Sequence, residues 1–308
     1  MKRAKTSSQS SAQGYVDDPR NDDVLVYVDG EFVPRNRAVV SVFDSGFVLG
    51  DGVWEGLRLV NGTLVALEEH MERLYEGASA IALDIGMTRE ALVAAIRSTL
   101  DRNGMVDGAH IRVMVTRGRK KTPNQDPRFA VGRATIVIVA EYKKPNPEAK
   151  AAGLSLFTST FRCSAPDVFD LRLNSHSRLN FIQALIQAIN AGADEALMLD
   201  PHGFVASCNS TNFFIVRGDE LWTSSGRYNF KGITQRKIIE LYRMHEGVVR
   251  ELDFTLGEAY GAREAFVSGT LGGVTPVTRI DGRPVGAGAP GEVTRRIGEW
   301  YQQAMLDA

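Results

Sequence analysis

Three polar side chains that can do chemistry, Asn174, His176 and Arg178, stand together where a loop is predicted to enter a helix. Histidine titrates near neutral pH, so His176 is a candidate general base. The guanidinium of Arg178 stays protonated and suits the neutralisation of a carboxylate or phenolate oxygen. Because Arg178 follows Asn174 by one helical turn, both can face one pocket. Structural roles are equally open, since Asn174 is a good helix N-cap residue and His176 can be an exposed first-turn residue.

The helix that follows is predicted over residues 176–191 and is closed by Gly192. Apolar residues recur at helical spacing along it, and they predict a face that packs into the core. These residues are Leu179, Ile182, Ile186 and Ile189.

A candidate anion site lies at the start of a later helix, in the stretch KGITQRKIIELYRMHEG. Gly232 precedes the predicted helix start, where the amides of Ile233 and Thr234 lack partners inside the helix. Those amides and the helix dipole both favour an anion. A plain helix cap at Thr234 is the alternative.

Composition limits the class of protein. The chain has 308 residues, 44% hydrophobic and 24% charged, with a net charge of −1. This balance predicts a globular protein and gives no electrostatic case for nucleic-acid or membrane partners. Two cysteines form neither a disulfide framework nor a metal-ligand cluster, so we expect a cytoplasmic protein without metal. Residues 1–22 lack an apolar stretch and are predicted to be a disordered tail rather than a secretory signal.

The order of predicted elements indicates an α+β fold with two domains. Alternating strands turn at Asp29-Gly30 and Asn61-Gly62, and single helices are interspersed with the strands. The polar, proline-containing segment 146–153 is the predicted linker. It separates a domain over residues 23–145 from a C-terminal domain over residues 154–308.

Six stretches resemble the fold-type IV enzymes that use pyridoxal phosphate (PLP), such as branched-chain and D-amino-acid aminotransferases, (R)-amine transaminases and aminodeoxychorismate lyase. They are SVFDSGFVLGDGVWEGLRLVNG, LEEHMERLY, HIRVMVTRG, AGADEALMLDPHGFVASCNSTNFFIV, KGITQ and FVSGTLGGVTPV. They cover nearly all of the chain after the tail, in family order. The resemblance implies a two-domain α+β fold and a homodimer. It also implies PLP or pyridoxamine phosphate (PMP) as the cofactor, with most of the cofactor site in the C-terminal domain. The implied ligand is a small amine, amino acid or keto acid.

The resemblance also implies roles for individual residues. The PLP phosphate is expected to contact Arg73, Ile233, Thr234 and Thr270. A solvent-exposed helix charge is the alternative for Arg73, and Gln235 departs from the arginine that the family commonly places there. A substrate carboxylate is expected at Arg112 or Arg117. The rest of the expected substrate pocket is Leu49, Trp54, Leu271 and Gly272; Trp54 can equally be core, and glycine lets a ligand approach the backbone.

Two departures concern the chemistry itself. The family writes Asp-Pro-Arg-Ile-Lys-Ser before its helix, and here DLRLNS places Asn174 where the catalytic lysine belongs. No lysine occurs from Ala151 to Phe230, and a carboxamide cannot form a Schiff base. Ser207 replaces the glutamate that protonates the pyridine nitrogen, and its hydroxyl is expected to hydrogen-bond a neutral nitrogen instead. We therefore expect non-covalent PLP or PMP. The expected function is that of an atypical aminotransferase; the alternative is a non-transaminating homologue that binds a ligand or catalyses a step without an internal aldimine.

Overall fold

A computed structural model describes residues 11–245 and 247–307, and within them the chain divides into two compact units. The N-terminal unit comprises Asp17–Lys144 together with Leu173–Arg178. The C-terminal unit comprises the residues up to Val16, Pro145–Arg172 and Leu179–Asp307. Each unit contains helices and a sheet, so the predicted α+β class is confirmed.

The N-terminal unit is built on a six-stranded antiparallel sheet. From edge to edge the strands are Glu31–Pro34, Leu25–Val28, Thr135–Tyr142, Ala109–Thr116, Gly52–Val60 and Thr63–Leu64. The α-helices are Ser45–Leu49, Leu67–Ala80 and Arg89–Arg102, with 3₁₀ turns at Pro19–Asp23, Arg35–Arg37 and Pro127–Phe129. Both predicted hairpins are confirmed, because Asp29 and Asn61 adopt φ of 50° and 46° ahead of their glycines.

Side-chain alternation explains why the central strand Ala109–Thr116 has two different faces. Ile111, Val113 and Val115 are fully buried and belong to the core of the unit. Arg112 and Met114 project from the opposite face and are half-buried. The sheet therefore presents one apolar face to its helices and one mixed face that carries the candidate site.

The C-terminal unit contains a nine-stranded mixed sheet. Its path is Val205–Cys208, Glu195–Leu199, Leu154–Thr158, Gly273–Ile280, Glu264–Gly269, Asn212–Arg217, Glu220–Thr223 and Val249–Glu251, with Arg283–Pro284 beside Gly273–Ile280. Short strands also occur at Tyr15–Val16 and Lys144–Pro145. The helices are Pro147–Ala152, Pro166–Phe169, Leu179–Asn190, Ile233–His245, Leu256–Tyr260 and Glu292–Leu306.

The predicted tail and the predicted linker both contain ordered segments within the described residues. Of the predicted tail 1–22, residues 1–10 lie outside the described residues. Ala12 is 5% exposed and donates its amide to Glu195 Oε1 at 2.9 Å, because a fully buried carboxylate needs donors. In the predicted linker 146–153, Pro147–Ala152 is helical, since the Asn146 side chain caps it by accepting from the Glu148 amide.

The helix predicted over residues 176–191 begins at Leu179, and its predicted core face is wrong. The predicted stripe is solvent-exposed: Leu179 67%, Ile182 51%, Ile186 50% and Ile189 53%. Phe181, Ala184 and Ala188 are buried instead. Small alanines let the helix approach the sheet closely, which selects their face for packing. An apolar stripe is thereby left on the surface of the C-terminal unit.

Candidate functional site

The segment Leu173–Arg178 runs along the strand Gly52–Val60 as a short antiparallel neighbour within the N-terminal unit. The Trp54 amide donates to the Asn174 carbonyl at 2.9 Å, and the His176 amide donates to the Gly52 carbonyl at 3.0 Å. Because successive side chains of an extended segment point to opposite faces, Asn174 and His176 share a face. The structure therefore brings two predicted site residues together on an extended segment rather than on a helix.

Asn174 is held by hydrogen bonds at both ends of its carboxamide. Its Nδ2 donates to the Trp54 carbonyl at 2.7 Å, and its Oδ1 accepts from Arg178 Nη2. The side chain is 5% exposed. The simple N-cap alternative is wrong, because the helix begins only at Leu179. Position 174 thus offers a fixed amide and no amine.

Trp54 carries two guanidinium groups near its ring. Arg112 Cζ lies 3.6 Å from the ring centroid and Arg178 Cζ lies 5.5 Å from it. The indole Nε1 donates to the Ser175 carbonyl at 3.0 Å, which fixes the ring. Burial lowers the pKa of Arg178 to about 10, and the charges of Arg112 and Arg73 add to that shift. Because burial and mutual repulsion disfavour these positive charges, an anionic ligand would stabilise them.

Burial also lowers the pKa of His176, helped by the charges of Arg112 and Arg178, while Asp44 and the backbone of Val53 oppose the shift. The predicted alternative, an exposed first-turn histidine, does not hold, because the ring is half-buried outside the helix. The imidazole is therefore biased towards its neutral form.

A buried ion cluster supports Arg73, and sequence reasoning missed two of its members. Arg73 donates to both Glu55 oxygens, from Nε at 2.6 Å and from Nη2 at 2.8 Å, and His70 Nδ1 lies 2.7 Å from Glu55 Oε2. Burial raises the pKa of Glu55, but the hydrogen bonds of His70 and Arg73 outweigh it, so the net pKa is lowered. Arg73 is 18% exposed and is not the solvated helix charge that was the alternative. Its orientation is set by Glu55.

Arg117, one of the two arginines predicted as a carboxylate contact, makes several hydrogen bonds within its own unit. Its Nε and Nη2 pair with Asp51 at 2.7 and 3.0 Å, and its terminal nitrogens donate to the carbonyls of Ile81 and Ala82 at 2.7 and 2.8 Å. Donors committed to these four acceptors are not offered to a ligand. Leu49, another predicted pocket residue, ends the helix Ser45–Leu49 and is 41% exposed.

The C-terminal unit carries the predicted anion cradle. The helix begins at Ile233, and the Arg236 amide donates to the carbonyl of Gly232, the residue before the helix, at 3.0 Å. A β carbon on Gly232 would lie 2.2 Å from Asn212 Oδ1, so any larger residue here would require the Asn212 side chain to move. The Thr234 hydroxyl lies 3.3 Å from the Tyr301 hydroxyl. A helix start built in this way fits a phosphate group.

The structure gives Ser207 and the last loop different roles from those predicted. The Ser207 hydroxyl donates its hydrogen bond to the Thr211 carbonyl at 2.8 Å, so in this structure it does not donate to any other group. Leu271 is 1% exposed and belongs to the core. A β carbon on Gly272 would meet the Ala12 carbonyl at 2.7 Å, so this glycine accommodates the chain's own backbone rather than a ligand. Thr270 lies in the turn after Glu264–Gly269 and is half-buried.

Comparison with known proteins identifies the family. The sequence model of the family described as Amino-transferase class IV matches residues 52–280. The chain belongs to the class IV aminotransferases. It is 38% identical over 280 residues to a putative branched-chain-amino-acid aminotransferase of Methanocaldococcus jannaschii, covering 90% of this chain and 95% of that protein.

A class IV relative in Arabidopsis thaliana, branched-chain-amino-acid aminotransferase-like protein 2, is 41% identical over 285 residues. The match covers 92% of this chain but 51% of that protein, so the chain spans about half the length of this plant relative.

The fold matches a solved T.th. branched-chain amino acid aminotransferase complexed with N-(5'-phosphopyridoxyl)-L-glutamate. The TM-score is 0.86 at 30% identity, covering 92% of this chain and 95% of the other. The same protein has been solved with pyridoxamine 5'-phosphate and with 4-methylvaleric acid. Close relatives of this chain are therefore PLP-type enzymes.

Proposed function

We propose that this protein binds PLP or PMP without a covalent link and acts on a small amine or amino acid as an atypical PLP-dependent aminotransferase. The observation that supports the proposal is the Asn174 carboxamide, which Trp54 and Arg178 hold at the position where the family resemblance predicts a lysine. When bound, the cofactor supplies an aldehyde or amine and an electron sink. The protein's own residues supply binding, orientation and charge.

The proposed phosphate contacts are Arg73, Ile233, Thr234 and Thr270. Ile233 and Thr234 offer helix-start amides, and the close approach of Gly232 to Asn212 supports a backbone cradle. Arg73 contributes a guanidinium that Glu55 orients. Arg112 is the proposed partner of a substrate carboxylate, with Trp54 as the apolar surface beside it.

The residues at positions 174 and 207 lead us to expect slow turnover. Asn174 has no basic nitrogen, so it is not proposed as a base. The Ser207 hydroxyl donates its hydrogen bond to the Thr211 carbonyl, so it is not proposed as a proton donor to the pyridine nitrogen. Arg178 stays cationic and is proposed to neutralise an anionic oxygen.

These two positions also favour a second candidate function, a homologue that binds the ligand without transaminating it. The two candidates differ in whether bound PLP is converted to PMP by an amino acid.

We further propose a cytoplasmic homodimer. The exposed stripe Leu179, Ile182, Ile186 and Ile189 supports the dimer, because contiguous apolar surface of this kind marks interfaces. Both cysteines are free and buried, which is compatible with a reducing compartment. No helix in the described ranges is long and apolar enough to cross a membrane.

Spectrophotometric titration with PLP and with PMP tests the proposal. Saturable binding is expected, and Arg73→Ala is expected to weaken it. Arg97→Ala is the matched control, since Arg97 is an exposed arginine on the neighbouring helix Arg89–Arg102. Cofactor affinity that is unchanged in Arg73→Ala would show that the phosphate assignment is wrong. Formation of PMP from PLP on addition of an amino acid separates the two candidate functions.

A further inference from the structure

His176 carries a ring nitrogen with no partner in the described part of the chain. Its Nε2 is buried and makes no hydrogen bond to any residue in 11–245 or 247–307. Interaction of the ring with the backbone of Val53 raises the pKa of His176, against the larger lowering by burial. Leaving a buried polar atom unpaired costs folding free energy, so such an atom in a native protein calls for a functional explanation.

The backbone around His176 is arranged to hold the imidazole in place. The His176 amide donates to the Gly52 carbonyl at 3.0 Å. A β carbon on Gly52 would lie 2.7 Å from His176 Cδ2, so the ring occupies the space that a side chain would fill. Gly52 and Trp54 lie on one face of their strand, and Arg112 pairs with Gly56 on the same face. His176, Trp54 and Arg112 therefore line one surface of the N-terminal unit.

The charges around the ring decide what its Nε2 can do. After burial itself, the charge of Arg112 is the largest influence that lowers the pKa of His176; Asp44 opposes it, and Arg178 adds a smaller lowering. In the tautomer that carries its proton on Nδ1, the neutral imidazole presents a lone pair at Nε2, which has no partner among the described residues. A lowered pKa makes this lone pair a weaker base than an ordinary histidine. It remains a good hydrogen-bond acceptor.

We propose that His176 Nε2 accepts a hydrogen bond from an uncharged donor, a hydroxyl or a neutral amine, on a small carboxylate ligand whose anion lies against Arg112 and Arg178. An ammonium group is disfavoured there, because two guanidinium groups lie on the same surface. The inference rests on the proposed function for the carboxylate. The donor–acceptor contact itself comes from the geometry of His176.

Calorimetric titration of the full chain at pH 7, without added PLP, tests this contact with three matched ligands. They are 4-methylvalerate, its 2-hydroxy derivative and leucine. One neutral hydrogen bond strengthens binding by about 2- to 10-fold, so the hydroxy acid is expected to bind more tightly than 4-methylvalerate by that factor. Leucine, with its ammonium group, is expected to bind more weakly than the hydroxy acid.

The variant His176→Phe keeps a ring and removes the acceptor, so it is expected to bind the two acids equally. The control His202→Phe changes a histidine that pairs with Tyr228 in the C-terminal unit, and it is expected to keep the preference. The inference is overturned if the wild-type chain binds neither acid or both equally, if leucine binds at least as tightly as the hydroxy acid, or if His176→Phe retains the preference. Failure to bind PLP with the preference intact would refute the proposed function alone.

Discussion

Glu55 is the residue whose replacement most directly tests the buried ion cluster. It is 0% exposed and accepts from Arg73 Nε at 2.6 Å, from Arg73 Nη2 at 2.8 Å and from His70 Nδ1, which lies 2.7 Å away. Glu55→Gln keeps the shape and removes the charge. Removing one partner of a buried pair costs about 3–5 kcal/mol, because the other charge is left uncompensated. At a urea slope of about 2 kcal/mol/M, the unfolding midpoint falls by about 2 M.

The assay is urea unfolding followed by tryptophan fluorescence in a Trp222→Phe, Trp300→Phe background. The chain has three tryptophans, and Trp54 then reports on the N-terminal unit. The exposed Glu68→Gln, on the same helix as Arg73, is the control and is expected to change stability by less than about 0.5 kcal/mol. Adding Arg73→Gln to Glu55→Gln is expected to restore part of the loss. A loss of less than about 1 kcal/mol in the free energy of unfolding of Glu55→Gln would show that the Glu55 charge does not stabilise the buried cluster.

The pH dependence of the same variant follows from the lowered pKa of Glu55. The ordinary value is 4.5, and the folded value lies below it. The carboxylate's contribution to stability is therefore complete above pH 4.5 and is lost as the pH falls through the folded pKa. The difference between wild type and Glu55→Gln is expected to shrink in acid, and urea unfolding at pH 7 and at pH 3 measures it.

Three further changes have definite expected outcomes. Arg117→Gln is expected to lower stability by about 1–3 kcal/mol in urea unfolding without changing carboxylate affinity, because it unpairs Asp51; a loss of affinity with unchanged stability would reverse that assignment. Ile186→Glu is expected to convert a dimer to a monomer by light scattering, and a dimer that persists would remove the stripe as its interface. Asn174→Lys is expected to raise the rate of transamination, more so with Ser207→Glu, since one change supplies the base and the other the electron sink; additive or absent effects in a double-mutant cycle would contradict the coupling.

Local patterns predicted much of the fold. The Asp29-Gly30 and Asn61-Gly62 turns and the alternation of Ala109–Thr116 are encoded by neighbouring residues, and the structure contains them. Periodicity could not predict which face of Leu179–Asn190 packs, because the larger apolar side chains share a face and the sheet accepts the alanines instead. The burial of Glu55 could have been predicted from the sequence, because it alternates with Val53 and Leu57 along one face of a strand.

Several predicted site residues have contacts with distant parts of the chain that their local sequence does not indicate. Arg117 has the right residue type for a carboxylate clamp, but Asp51, 66 residues earlier, takes its donors. Gly272 was predicted to make room for a ligand, but it accommodates the Ala12 carbonyl instead. The contacts of Asn174 with Trp54 and Arg178 depend on an extended segment, which the prediction of a helix from residue 176 missed.

Borohydride reduction of the PLP-loaded protein, followed by peptide mass mapping, tests the central claim that the cofactor is held without a covalent link. No peptide is expected to carry a pyridoxyl group, since Asn174 has no amine and no lysine occurs from Ala151 to Phe230. Reduction of Asn174→Lys in parallel is the positive control and is expected to label position 174. A pyridoxyl group on Lys231, or on any other lysine of the wild-type chain, would contradict the account and identify a relocated catalytic residue.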